Sequence, residues 1–343
     1  MTIRGYLLGT AAGLFAVTGA QAADLPGEAV PAAVDYVKVC DAFGAGFFYI
    51  PGGDTCLKIG GRVRFGAASG PAYSATGTDN IELFASGRVD FDTRSATEYG
   101  TLRTFFRITS DGTGQSDVGI DKAFIQLGYF TGGYAATYFD SFGALVGDND
   151  RNFGGETRVQ ASVLFDNLGG GFYAGIGAFA PDNGLAEAFE GDDDTGGPAS
   201  IPDIQAIVGI SGQPWGSAAL GVWYSDEGNT ANEGDGFWAV KADARIKATD
   251  SLTVVARTYY VDTDGADSLW NIGAGVSFAA TDALTINVGA EYGFQDDSDN
   301  FGVTAGVDYT VVPGLVATAE LSYDDEENGD EELSGLLRLS REW

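Results

Sequence analysis

From Leu57 to Trp343 the chain repeats one pattern: about ten residues in which apolar side chains alternate with polar or small ones, then a break. Trp238, Val240, Ala242, Ala244 and Ile246 share one face of such a stretch, and Lys241, Asp243, Arg245 and Lys247 share the other. Leu284, Ile286, Val288, Ala290, Tyr292 and Phe294 repeat it, as do Phe301, Val303, Ala305, Val307 and Tyr309. A period of two is a strand with one wet face. The pattern predicts about sixteen strands, near 57–67, 81–93, 99–109, 120–130, 133–140, 157–166, 171–180, 203–211, 215–225, 236–247, 251–261, 268–279, 283–294, 300–311, 314–324 and 332–343.

Alternation alone does not separate a membrane barrel from a soluble sandwich, which also has one apolar face per strand. The connections do. Short links near 95–98, 131–132, 167–170, 212–214, 248–250, 280–282 and 312–313 alternate with longer ones at 68–80, 110–119, 141–156, 181–202, 226–235, 262–267, 295–299 and 325–331. Acidic residues crowd the long links: Asp182, Glu187, Glu190 and Asp192–Asp194 in one, Asp325, Glu326, Glu327, Asp330 and Glu331 in another. Short turns on one rim and long charged loops on the other describe an up-and-down transmembrane barrel. The expected fold is therefore an all-β, 16-stranded antiparallel transmembrane β-barrel with short periplasmic turns and long extracellular loops.

The N-terminus reads as an export signal. Arg4 precedes an apolar run from Tyr6 to Val17, and Ala20-Gln21-Ala22 is a small-x-small cleavage site, so residues 1–22 form a signal peptide. No later apolar run approaches the roughly 20 residues of a spanning helix, which leaves a secreted soluble protein or a closed barrel. Gly is abundant at 52 of 343 residues while Pro is scarce at 9, with aromatics at 12%, which disfavours a disordered Gly-rich chain. Residues 23–56 form an N-terminal extension before the barrel at 57–343. Its cysteines, Cys40 and Cys56, meet an oxidising compartment, so a bridge is expected, two buried thiols being the alternative.

The formal net charge of −31 argues against nucleic acid as a partner, since phosphate binding needs a basic face. With no His in the chain, His-dependent triads and His or Cys–His metal sites drop out, and a barrel hydrolase loses its usual base. No cofactor is required. Weak Ca²⁺ or Mg²⁺ sites built on carboxylates could form at Asp192, Asp193, Asp194, Asp324 and Asp325, bridging the loops to anionic lipid headgroups.

The stretch from Val39-Cys40-Asp41-Ala42-Phe43-Gly44 to Tyr49-Ile50-Pro51-Gly52, then Thr55-Cys56-Leu57-Lys58-Ile59-Gly60-Gly61-Arg62-Val63-Arg64-Phe65, resembles the N-terminal signature of alphaproteobacterial general porins. The closing Gly335-Leu336-Leu337-Arg338-Leu339 through Trp343 is similar to theirs too. The resemblance implies a homotrimer of sixteen-stranded barrels in the outer membrane, in contact with its lipids including lipopolysaccharide. It also implies a third loop, near 141–156, folded into each pore.

Inside such a pore, alternation places Arg62 and Arg64 inward on the first strand, Arg88 on the second, Arg103 and Arg107 on the third and Arg158 on the sixth. The resemblance assigns Arg62, Arg88 and Arg158 to a basic wall, with Tyr138 where the family carries a further basic residue. Asp148, Asp150 and Glu156 of the third loop would face that wall, giving a transverse field across a water-filled eyelet. The expected function is passive diffusion of ions and small hydrophilic solutes. A sugar-type selective channel and a non-conducting structural or adhesive barrel are the alternatives. Ion preference stays open: the wall attracts anions, and the acidic mouth attracts cations.

Overall fold

The computed structural model describes residues 38–70, 81–112, 118–147, 153–180, 202–226, 236–265, 267–295, 299–326 and 331–343. A two-residue strand β1 (Phe48–Tyr49) precedes sixteen long ones. These are β2 (Cys56–Ser69), β3 (Glu82–Thr97), β4 (Gly100–Gly112), β5 (Val118–Leu127), β6 (Phe130–Ala136), β7 (Thr157–Phe165), β8 (Phe172–Phe179) and β9 (Asp203–Gln213). The second half comprises β10 (Gly216–Ser225), β11 (Phe237–Lys247), β12 (Leu252–Thr263), β13 (Leu269–Ala279), β14 (Leu284–Phe294), β15 (Asn300–Val312), β16 (Leu315–Glu326) and β17 (Glu332–Glu342). Every strand from β2 to β17 pairs antiparallel with the next. The circle closes where β17 pairs β2, with Leu337 opposite Ala67 and Glu342 opposite Arg62.

All sixteen expected strands are present. One connection is displaced: the turn expected at 131–132 lies at 128–129. Gly128 adopts a positive φ of 56° and turns the chain there, whereas Thr131 and Gly132 pair within β6 opposite Ser162 and Ala161. The strand expected over 133–140 accordingly runs from Phe130 to Ala136, and Tyr138 and Phe139 turn into the barrel, where both are buried.

The outward face explains the alternation. Phe65, Leu83, Ile125, Val208, Leu321 and Leu337 are each more than half exposed, and similar residues continue around the barrel. An apolar band of that extent belongs against lipid, not water. Among the described residues no helix is long and apolar enough to cross a membrane. The buried apolar clusters lie instead inside the barrel, where a loop packs on the wall.

The seam is sealed by the last residue. Trp343 exchanges backbone hydrogen bonds with Gly61, at 3.2 and 3.3 Å, and its ring lies against the Gly61 Cα, where any Cβ would collide with it. Gly61→Leu should therefore displace Trp343 and lower the temperature at which the folded barrel opens in detergent. An unchanged midpoint on heat-modifiability gels would contradict this.

Candidate pore constriction

After β6 the chain leaves the wall and crosses the lumen. Thr137 N–H donates to Glu156 C=O at 2.9 Å and closes the neck of a loop over 137–156. A 3-10 turn at Asp140–Phe142 follows, ended by Gly143 at φ 65°. Tyr138 is anchored at the root: its N–H donates to Gln205 Oε1 at 3.0 Å and its hydroxyl to Val163 C=O at 2.8 Å.

Three cations of β11 and β12 hold this loop by its backbone. Lys241, fully buried, donates to the carbonyls of Phe139 at 3.3 Å and Phe153 at 3.0 Å. Arg245 donates to Phe142 C=O at 3.1 Å and to Ala144 C=O. Arg257 donates to Gly143 C=O, and its second contact is Phe142 C=O at 3.5 Å. Asp243 sits 3.6 Å from Arg245 and 3.7 Å from Arg257, which orients both guanidiniums.

Apolar packing finishes the dock. Phe139 and Phe153 meet Trp223, Phe237 and Tyr259 of the wall. Leu145 and Val146 enter a slot made by Gly273, Gly275 and Gly289, where a Cβ on Gly275 would stand 2.6 Å from Val146 Cγ1. Gly147 lies against the Glu320 carboxylate of β16, so the described part of the loop covers the wall from β10 to β16 and leaves the passage against β2–β5 and β17. Near the loop root Asp140 pairs with Lys122 of β5 at 3.9 Å, which bounds the passage on that side. Burial raises the Asp140 carboxyl above the usual range, with Lys122 and Lys241 opposing.

The opposite wall is basic. Arg62 and Arg88 are register partners on β2 and β3, and Arg64 follows two residues beyond Arg62 on the same face. Glu342 of β17, the register partner of Arg62, sits 3.8 Å from Arg88 and is the counter-charge of this group. Farther along, carboxylates are threaded between the arginines. Asp90 receives Arg107 at 2.6 and 3.1 Å and sits 3.7 Å from Arg88. Asp92 receives Arg103 at 3.0 Å through each oxygen, and Arg94 at 3.1 and 2.8 Å. Arg107 also reaches Asp121 at 3.3 Å. The strip is therefore most strongly positive at Arg62, Arg64 and Arg88, and balanced toward Arg103 and Arg107.

The structure thus brings Arg62, Arg64, Arg88, Arg103 and Arg107 onto one inner surface. It places Arg158 and Glu156 elsewhere, at the loop root. Arg158 is buried, donating to Asp203 at 3.1 Å, Glu156 at 2.7 Å and Ala180 C=O at 3.0 Å, with its guanidinium 4.9 Å from the Trp223 ring centroid. β7 lies beneath the loop root, so an inward side chain there meets protein rather than the open passage. Asp148 and Asp150 lie outside the described residues, as do Asp192, Asp193 and Asp194. Asp324 and Asp325 are successive residues of β16 and so project to opposite faces. Among the described residues no group of three ligating side chains forms a metal site. The residues that sequence reasoning missed are the clamp cations. Alternation turned Lys241 and Arg245 inward, but nothing local said that carbonyls about a hundred residues earlier would meet them.

A family profile described as "Porin subfamily" matches residues 24–336. The chain belongs to the porin family. This porin is 32% identical to Porin Omp2b of Brucella suis biovar 1 over 94% of its length and 92% of that protein's. It is 30% identical to a putative outer membrane protein, y4fJ, of Sinorhizobium fredii, over 100% of this chain and 99% of that one. In fold it is similar to the anion-selective porin of Comamonas acidovorans, with a TM-score of 0.67 at 13% identity, covering 84% of this chain and 100% of that one. Salmonella typhi OmpF gives a TM-score of 0.65 at 9% identity, over 84% of this chain and 98% of that one. The porin is an outer-membrane channel, and the family points to transport rather than catalysis.

Proposed function

We propose that this porin passes ions and small hydrophilic solutes by diffusion through an eyelet bounded by the 137–156 loop and the Arg62–Arg64–Arg88 strip, in a homotrimer. The observation that carries this reading is the loop clamped to one wall with arginines facing it from the other. Fixed charge of one sign on one side of a narrow aqueous passage produces a transverse field that orients dipolar solutes. A trimer form is described for Vibrio cholerae OmpT, which shares the fold with a TM-score of 0.62 at 13% identity, over 85% of this chain and 100% of that one. Lipopolysaccharide would border the long-loop rim, where Ca²⁺ or Mg²⁺ could bridge its phosphates to loop carboxylates.

A sugar-type channel is less well supported. Such a channel needs a run of aromatic rings exposed along the path. Phe139, Trp223, Phe237 and Tyr259 are buried between loop and wall, and the half-buried lumen-facing pair Phe105 and Phe124 stack on each other beside the Arg103 guanidinium.

Bilayer recording under a salt gradient tests the reading. Three conductance levels per insertion are expected. Arg62→Ser with Arg88→Ser should shift the reversal potential toward cations, changing the permeability ratio by roughly two- to fivefold. A protein that inserts without conductance steps would overturn the channel reading, and an unmoved reversal potential would overturn the role of the strip.

A further inference from the structure

The segment before the first barrel strand is stitched to the inside of the barrel. Cys56 opens β2 with the same parity as Lys58, Arg62 and Arg64, so its side chain faces the lumen. Its disulfide to Cys40 closes a loop of sequence separation 16 at the short-turn rim. Inside the loop, Cys40 N–H donates to Phe47 C=O at 2.9 Å, and Phe48 and Tyr49 of β1 pair with Leu57 and Cys56. Cys40, Phe47 and Cys56 form a small buried cluster with Phe43 and Tyr49 packed against it.

That cluster rests on the charges of the lumen wall. The Phe47 ring lies under the Arg94 guanidinium, 4.9 Å from its centroid, with Lys58 Nζ at 6.0 Å. Lys58 is the register partner of Asp92, and Arg94 of Cys56, so these cations belong to the inner face where the short turns gather. The Lys58 stem runs past Gly46, where a Cβ would stand 3.4 Å from it. The other side of the loop, Asp41, Ala42 and Gly44–Gly46, is exposed. Gly44 and Gly46, at φ 98° and 87°, turn the chain back there.

We propose that this disulfide-closed loop is a second narrowing of the channel, at its periplasmic mouth and in series with the eyelet, and that it weakens the mouth's preference for anions. Two features act together. The loop fills cross-section that Lys58 and the Asp92-paired Arg94 would otherwise border, and it adds the exposed carboxylates of Asp41 and Asp54 to a rim whose strand-borne cations it partly covers. Ions crossing the pore meet both constrictions, so each contributes to resistance and to selectivity. The inference rests on the channel reading above.

Single-channel recording of the full chain in potassium chloride gradients tests it with three variants. Phe47→Ala keeps the disulfide and removes the anchor. Cys40→Ser with Cys56→Ser opens the loop. Asp41→Asn removes only an exposed charge and leaves the packing intact. The first two should raise conductance, and all three should move the permeability ratio toward anions, by roughly twofold for the opened loop. Should the cysteine pair fail to fold, Asp41→Asn and Phe47→Ala still decide the matter. If both conduct with the parent's amplitude and reversal potential, the loop does not border the path and the proposal is overturned. A parent without conductance would instead remove the channel reading itself.

Discussion

Channels carrying Arg245→Met and Arg257→Met should be noisier and more conductive than the parent. The two guanidiniums hold the stretch from Phe142 to Ala144 by its carbonyls. A hydrogen bond from a charged donor contributes about 1.5–3 kcal/mol net. Losing the pair, at about 3 kcal/mol, would multiply the undocked fraction of the loop roughly a hundredfold. Leu145 and Val146 still fit their glycine slot, so the loop should not leave altogether but should exchange between docked and raised positions. Planar bilayer records should show this as added open-channel noise together with larger mean steps. Lys247, two residues beyond Arg245 on the same face and exposed, supplies the control, and Lys247→Met should record like the parent. If the double variant matches the parent in both amplitude and noise, the clamp does not hold the eyelet.

The second large effect is on stability. Arg158 and Asp203 form an ion pair with side chains 2% and 1% exposed, and Trp223 Nε1 donates to the same carboxylate at 3.0 Å. Removing one member of a buried pair leaves the other charge desolvated and costs about 3–5 kcal/mol. Arg158→Met should therefore lower the unfolding midpoint markedly, whether read by urea titration or by gel mobility after heating. Arg158→Met with Asp203→Leu should recover much of that loss, because a buried pair replaced by apolar groups of similar volume is often nearly neutral. A single variant as stable as the parent would show that water reaches the site. A double variant no better than the single would show that Asp203 serves Trp223 more than Arg158.

The strands were legible because two solvents act on them. Lipid outside and water inside force a period of two, and the register keeps Lys241, Asp243 and Arg245 on the wet face of β11, opposite Tyr259, Arg257 and Val255 of β12. The one misplaced turn came from a run of glycines. Gly128, Gly132 and Gly133 all look like turn residues, but only Gly128 stands where the strands reverse, and Gly133 pairs with Phe124. The arginine strip was legible for the same reason as the strands, since parity alone turned Arg62, Arg64, Arg88, Arg103 and Arg107 inward. What parity cannot supply is depth and company. Arg158 obeys the same alternation, yet the loop root covers it. Asp90 and Asp92 sit two residues from Arg88 and Arg94 along β3, so their pairing could have been read locally. Their bonds to Arg107 and Arg103 cross to β4 and depend on register.

The seam between β17 and β2 sets a condition in time. The hydrogen bonds joining Trp343 to Gly61, and the ladder from Glu342 to Gly335, connect the two ends of the barrel sequence. No part of that ladder can form until the final strand exists, so a nascent or truncated chain carries two open edges able to pair with any neighbouring strand. Contacts of such long sequence separation also form slowly, because the connecting chain must be ordered before closure rewards it. The last eleven residues of the barrel are thus its completion signal in a physical sense, and a chain ending before Glu332 should accumulate as aggregate rather than as a smaller channel.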